Sequence, residues 1–284
     1  MQIKKVCVIG GGLMGRQIAL NTAIYDYEVT VFDANPAVLE SSAAWQKDYL
    51  AGRIAKGRMT EEQVAGINSR FAICATLEEA LQDADLVIEA IVERKDIKSA
   101  VLKQVSDLVR PDTIIATNSS FMVSSTFADV VDHPERLANL HYFAPALVMK
   151  LVEVVGGEHT SQETIQKLMA FVRATGKTPA LVKKEEDGFI VNNILKVIKE
   201  EAYRLVNEGV CSLEDLDTAV ELGLGHPMGP YKIDDMNGLD VRYNVLKRRY
   251  EETGVKSHGF DMIKEQYEKG RYGKKTKHGF YDYE

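Results

Sequence analysis

The sequence predicts an α/β fold, with a doubly wound, mostly parallel sheet followed by an all-helical C-terminal domain, and three observations carry that prediction. Up to Lys184, apolar runs of strand length alternate with segments of helical periodicity, the pattern of a parallel sheet with helices on both faces. A glycine-rich turn, Gly10-Gly11-Gly12-Leu13-Met14-Gly15, joins the first strand to the first helix. Beyond Lys184 strand signal almost disappears while helical spacing continues.

Ile3 to Ile9 is apolar except for Lys4 and Lys5 and reads as a short buried strand. Leu13 to Tyr25 places Leu13, Ile18, Ala19 and Ala23 at helical spacing, so the glycines occupy a strand-to-helix turn. Gly10, Gly12 and Gly15 fit G-x-G-x-x-G. The first permits the tight turn, the second admits a pyrophosphate to the backbone, and the third lets the helix approach the strand. Free N–H groups around Leu13 and Met14 would then face the phosphates. A second strand, Glu28 to Phe32, ends at Asp33, where an acidic residue would take a ribose 2′-OH. That carboxylate would repel a 2′-phosphate, and no Arg follows in Ala34-Asn35-Pro36, which favours NAD(H) over NADP(H). A glycine turn alone could be only a tight connection. Strand, glycines, helix, strand and acid in this order make the unit a Rossmann-type dinucleotide site.

Pro36 to Ala55 reads as a long helix, followed by the basic turn Arg53, Lys56 and Arg58. Thr60-Glu61-Glu62-Gln63 starts another helix. Strands follow at Arg70 to Ala75, Asp85 to Ala90 and Thr113 to Thr117, with helices at Leu77 to Gln82 and Arg94 to Leu108 between them. Two further strands, Leu137 to Phe143 and Leu151 to Val155, are joined through Ala144-Pro145, and Ser161 to Thr175 and Thr178 to Val182 add a helix and a strand. The second half of the fold should hold helices at Phe189 to Val206, Leu213 to Leu222, Pro230 to Thr253 and Met262 to Lys269. Domains are therefore expected at 1–184 and 185–284, the second of about 100 residues, with a ligand cleft between them. Ligands on an open α/β sheet collect at the carboxyl ends of its strands, which draws attention to Asn118, Ser119, Ser120 and His141.

Composition narrows the partners. The 284 residues carry a formal net charge of -7, which gives no basic footprint for nucleic acid and disfavours an anionic membrane surface. No apolar run approaches membrane-spanning length, and Met1 leads into the first strand too quickly for a signal or transit peptide, so a soluble cytoplasmic protein is expected. The three cysteines, Cys7, Cys74 and Cys211, form no CxxC pair and suit a reducing compartment. No metal-ligating pattern is present.

His141 ends one strand and Glu153 lies in the next. Opposed strands of this length could put the two side chains together, the carboxylate accepting from one imidazole nitrogen and leaving the other for substrate. Oxidising an alcohol needs a base for the O–H proton as hydride leaves carbon, and an imidazole can take that proton and return it.

His141-Tyr142-Phe143-Ala144-Pro145 followed by Val148-Met149-Lys150-Leu151-Val152-Glu153-Val154 resembles the H-F-F-N-P…M-K-L-V-E signature of the L-3-hydroxyacyl-CoA dehydrogenases. Gly10 to Gly15, Glu89-Ala90-Ile91-Val92-Glu93, Gly188-Phe189-Ile190-Val191-Asn192, His226-Pro227-Met228-Gly229-Pro230 and Gly279-Phe280-Tyr281-Asp282-Tyr283 are similar to that family in the same order. The short, single-function length is similar to the bacterial 3-hydroxybutyryl-CoA dehydrogenases of fatty-acid and butyrate metabolism. The resemblance implies His141 as catalytic acid/base, Glu153 as its orienting partner, and Asn192 and Ser120 as hydrogen-bond partners of the substrate oxygen, with Ser119 standing where the family usually has Thr. It implies NAD contacts from Ala90, Ile91, Glu93, Lys98 and Asn118, and CoA phosphate contacts from the region of Arg53 and Lys56. It also implies a homodimer through the helical domain, whose apolar stripes include Ile194, Leu195, Ile198 and Leu205. Two departures stand out: Ala144 replaces the family Asn, and Lys184-Glu185-Glu186-Asp187 replaces the usual Pro-containing approach to Gly188. A dehydrogenase of a free hydroxy acid, of the gulonate or carnitine type, and a non-catalytic NAD-binding protein of the lens-crystallin kind are the alternatives.

Overall fold

The computed structural model describes residues 3–284; Met1, on which the expected lack of a leader rests, lies outside them. The chain divides into two compact units, Met1–Ile190 and Val191–Glu284.

In the first unit, β1 (Lys5–Ile9), α1 (Leu13–Ile24), β2 (Glu28–Phe32), α2 (Pro36–Ala55), α3 (Glu61–Ser69) and β3 (Phe71–Ile73) lead into α4 (Leu77–Leu81), β4 (Leu86–Glu89), α5 (Lys95–Leu108) and β5 (Ile114–Thr117). β6 (Leu137–Tyr142), β7 (Leu151–Val155), α6 (Gln162–Ala174) and β8 (Thr178–Val182) complete it. The eight strands form one sheet in the order β3-β2-β1-β4-β5-β6-β7-β8. Every neighbouring pair is parallel except β6 and β7.

Both faces of this sheet are covered, and β1 shows why its strand reads as a continuous apolar run. Successive side chains point to opposite faces, so Val6 and Val8 enter one core cluster while Cys7 and Ile9 enter the other. Local chemistry sets the helix starts. Asn35 caps α2 by accepting from the Ala37 N–H, with Pro36 at the first helical position, and Thr60 and Gln63 form a capping box on α3.

The second unit holds α7 (Val191–Asn207), α8 (Leu213–Gly223), α9 (Pro230–Asn237), α10 (Leu239–Thr253) and α11 (Phe260–Glu268). Its core gathers Tyr203, Tyr231, Leu239, Leu246, Phe260 and Ile263. Two buried aspartates hold the C-terminal segment: Asp235 accepts from the N–H groups of Phe280 and Tyr281, and Asp217 accepts from the Tyr281 hydroxyl. The terminal Gly-Phe-Tyr-Asp-Tyr motif is thus a closure of this core.

Two helices differ from the sequence expectation. The run from Pro230 to Thr253 is broken at Gly238, whose φ of 96° lies where only glycine is unstrained. The helix expected from Phe189 starts at Val191, because Phe189 has a φ of 54° and its ring packs with Val155 and Val182. The division between the two units falls at Ile190 and Val191, beyond the composition change near Lys184. Of the apolar stripe on α7, Leu205 packs on the core of its own unit while Ile194 is exposed, as is the neighbouring Val197.

Among the described residues no helix is long and apolar enough to cross a membrane. All three cysteines are unpaired, and burial pushes the Cys7 thiol up to about 12. The Cys74 thiol is raised as well, again chiefly by burial. Since the thiolate is the reactive species, a thiol reagent at pH 8 is expected to label half-buried Cys211 first and to reach Cys7 and Cys74 only after unfolding. Mass spectrometry of native and denatured samples reads this directly, and labelling of Cys7 as fast as Cys211 in the native protein would contradict the burial argument.

Candidate active site

The carboxyl ends of β1, β2 and β4 form the first part of the site. Gly10 has a φ of 103°, and a Cβ built there would lie 2.6 Å from the Ala90 carbonyl oxygen. One at Gly15 would collide with the carbonyl of Gly10, whereas Gly12 faces open space. α1 starts directly after Gly12 with no side chain capping it, so its first N–H groups stay available to an anion. Asp33 accepts from the N–H groups of Gly11 (2.8 Å) and Asn35 (2.9 Å). Those two bonds fix its carboxylate while leaving lone pairs for ribose hydroxyls. The crowded glycines, the open Gly12 and the anchored acid fit a dinucleotide.

The second part lies on the antiparallel pair. His141 of β6 stands opposite Glu153 of β7 in register, so both side chains leave the same face of the sheet. His141 Nδ1 is 2.8 Å from Glu153 Oε2, with both side chains buried. Glu153 Oε1 accepts from the Ile190 N–H at 3.0 Å. The rings of Phe143 and Phe189 lie 4.6 and 5.3 Å from the imidazole, restricting its rotation and water's access to it. The other imidazole nitrogen, Nε2, is 3.1 Å from the Ser120 hydroxyl. Asn118 holds the same corner by accepting from the Tyr142 N–H.

The neighbouring serine has another partner. Ser119 donates to Glu93 and accepts from the Met122 N–H, so Ser120 is the serine that meets His141. Glu93 Oε1 also accepts from the Ser120 N–H at 3.1 Å. Burial would raise the Glu93 carboxyl, but the Ser119 hydroxyl and the Lys98 ammonium together hold it below its ordinary value. Beneath it sits a fully buried ion pair. Lys98 Nζ lies 2.7 Å from Glu89 Oε1 and 3.2 Å from Glu93 Oε2. Glu89 also accepts from the Ile91 N–H and the Thr117 hydroxyl.

Of the residues singled out in the sequence, Ser120, His141 and Glu153 are thus brought together. Gly10, Gly12, Leu13, Met14, Gly15 and Asp33 form the dinucleotide turn, with Ala90 beside it. Lys98 lies under the serine turn, its ammonium in contact with both carboxylates. Asn192 is the second residue of α7 and belongs to the second unit. Arg53 and Lys56 close α2, which at 1.5 Å per residue puts them roughly 25–30 Å along the helix from its start beside Asp33. There Arg53 Nε is buried without a partner among the described residues. Glu89 was visible in the sequence as a carboxylate inside a buried strand, whereas the roles of Thr117, Phe143 and the Ile190 N–H carried no local signal.

Comparison with known proteins agrees along the whole chain. A family model described as 3-hydroxyacyl-CoA dehydrogenase, NAD binding domain, matches residues 5–186, and the C-terminal domain model of that name matches residues 188–283. The chain is 37% identical over 285 residues to a probable 3-hydroxybutyryl-CoA dehydrogenase of Bacillus subtilis, covering 100% of this chain and 99% of that one. It is 36% identical over 289 residues to the mitochondrial hydroxyacyl-coenzyme A dehydrogenase of Homo sapiens, covering 99% and 91%. The crystal structure of (S)-3-hydroxybutyryl-CoA dehydrogenase from Ralstonia eutropha superposes with a TM-score of 0.90 at 33% identity, with both chains covered fully.

The buried pair yields a stability test. Glu89→Ala leaves the Lys98 charge in a dry site with only Glu93 to answer it, and removing one partner of a buried pair costs about 3–5 kcal/mol. Urea denaturation should show that loss, and the double change Glu89→Gln with Lys98→Met should recover part of it. An unchanged midpoint in Glu89→Ala would mean that the pair is not holding the strand end.

Proposed function

The chain belongs to the 3-hydroxyacyl-CoA dehydrogenase family, and on that premise we propose that it interconverts acetoacetyl-CoA and 3-hydroxybutyryl-CoA with NAD(H). The observation that carries this reading is the buried His141–Glu153 pair with Ser120 on the free imidazole nitrogen, set at the strand ends of a dinucleotide-binding sheet. The short-chain preference draws on relatives named 3-hydroxybutyryl-CoA dehydrogenase from Clostridioides difficile and Bradyrhizobium diazoefficiens, each 35% identical.

Gly10, Gly12, Gly15, Leu13 and Met14 would hold the pyrophosphate and Asp33 the ribose, with Ala90, Ile91, Glu93, Lys98 and Asn118 as the further cofactor-side set. The bound nicotinamide supplies hydride to C3 of the ketone, or accepts it from the alcohol. His141, with Nδ1–H donated to Glu153, gives the Nε2 proton to the ketone oxygen in reduction and takes the hydroxyl proton there in oxidation. Glu153 fixes the ring's tautomer and stabilises the imidazolium. Ser120 and Asn192 are assigned to the same substrate oxygen, where fixed donors meet developing charge. Arg53 and Lys56 are assigned to the CoA phosphates, a local positive patch on an acidic protein.

The intact His141, Glu153 and Ser120 set disfavours a non-catalytic NAD-binding role. A free hydroxy acid as substrate remains the competing chemistry, and saturation with acetoacetyl-CoA against free 3-hydroxy acids separates the two. We further propose a homodimer through the helical unit, supported by the exposed Ile194 and Val197 on α7, and a cytoplasmic location, supported by three unpaired cysteines.

His141→Ala is expected to lower kcat by about a hundred- to ten-thousandfold while NADH still binds, as read by stopped-flow hydride transfer and NADH fluorescence. Unimpaired transfer in both His141→Ala and Glu153→Ala would remove the dyad assignment. Comparing C4 to C16 3-ketoacyl-CoA substrates with NADH and NADPH should give the highest kcat/KM with C4 and NADH. Asp33→Ala should narrow the NADH preference, because it removes the charge that repels a 2′-phosphate. Light scattering at micromolar concentration should give twice the chain mass.

A further inference from the structure

We propose that Lys177 is a positioning residue that shapes the loop after the catalytic histidine and so acts on the acyl substrate, a role that rests on the functional reading above. Lys177 lies between α6 and β8 and is only 6% exposed. No carboxylate pairs with it among the described residues. Its ammonium instead donates to two backbone carbonyls, Ala146 at 2.5 Å and Met149 at 2.9 Å. Burial, and then the nearby Lys150 charge, lower its pKa from the ordinary lysine value. A buried cation without a counter-ion is costly, so the two carbonyls it meets mark where that cost is offset.

Both carbonyls belong to the connection from His141 on β6 to Glu153 on β7. The segment is a compact turn. Pro145 O accepts from the N–H groups of Val148 and Met149, and the Leu147 N–H reaches Gln17 Oε1 on α1 at 3.4 Å. Lys177 draws Ala146 O and Met149 O onto one nitrogen atom and closes the turn from beneath. Its first residue, Phe143, carries the ring against the imidazole. The same turn, which follows the carboxyl end of β6 where His141 stands, exposes the side chains of Val148, at 67%, and Met149. An ammonium held at this point fixes where that apolar rim sits, and it touches neither the dinucleotide turn nor the imidazole.

Lys177→Met keeps an unbranched side chain and removes the donor. Hydrogen exchange of the 146–150 amides should speed up at least tenfold. In steady state, kcat/KM for acetoacetyl-CoA should fall at least tenfold while KM for NADH changes less than twofold. Gln17→Leu releases the same turn at Leu147, should give the same pattern more weakly, and decides the matter if Lys177→Met does not fold. Unchanged loop exchange, or equal losses for both substrates that track the folded fraction, would overturn the proposal. If the wild-type protein does not turn over acetoacetyl-CoA, the functional reading has failed, and loop exchange alone then decides the role of Lys177.

Discussion

The site depends on one pairing register. Among the described strands β6 and β7 are the only antiparallel neighbours, and within that pair His141 faces Glu153. Side chains alternate with period two along each strand, so slipping β7 by one residue would send its carboxylate to the other face and leave the imidazole without its partner. Leu140 opposite Val154 and Tyr142 opposite Val152 are buried on either side of the dyad, so core packing enforces the register that pairs His141 with Glu153. A connection between parallel strands would have required a crossover. The reversal lets a short connection join His141 to Glu153.

Around this dyad the protein places charge where water cannot reach it. Glu89 and Lys98 are removed from solvent at a cost of several kcal/mol per ion, and neither reaches His141. Their contacts instead run outward: Glu89 to Thr117 and Ile91, Lys98 to Glu93, and Glu93 to the turn that carries Ser119 and Ser120. Lys177 is buried as well and meets the carbonyls of Ala146 and Met149 in place of carboxylates. Two buried ammonium groups thus brace the two backbone segments that flank the imidazole.

Much of this was legible in the sequence, for physical reasons that also mark where reading stopped. The dinucleotide turn is a local device, so Gly10, Gly12, Gly15 and Asp33 announce themselves through backbone requirements that only certain residues meet. The pairing of His141 with Glu153 was legible because both sit on adjacent strands joined by a short connection. Long-range partners were not. Nothing near Lys177 in the sequence points to Ala146 and Met149, and a buried lysine reads like any surface lysine until its surroundings are known. The break at Gly238 was hidden by continuous helical spacing on both sides. The turn at Phe189 was hidden because its positive φ is adopted by a residue that rarely takes it.

The hydrogen bonds of Glu153 carry a consequence for proton traffic. One carboxylate oxygen is engaged by the imidazole and the other by the Ile190 N–H, so Nδ1 is held by the acid and Nε2 is the nitrogen directed at Ser120. On the proposed acid/base role of His141, protons would pass through Nε2, the nitrogen beside Ser120. Reduction of a ketone by NADH consumes one proton, so the equilibrium ratio of alcohol to ketone at a fixed cofactor ratio changes about tenfold per pH unit whatever the protein does. What the protein would control, on the proposed role of His141, is the route: the solvent proton would enter at the same nitrogen that serves the substrate oxygen. In that arrangement recharging the imidazole and binding the next ketone would compete for Nε2, which would tie proton uptake to the interval when no ketone is bound.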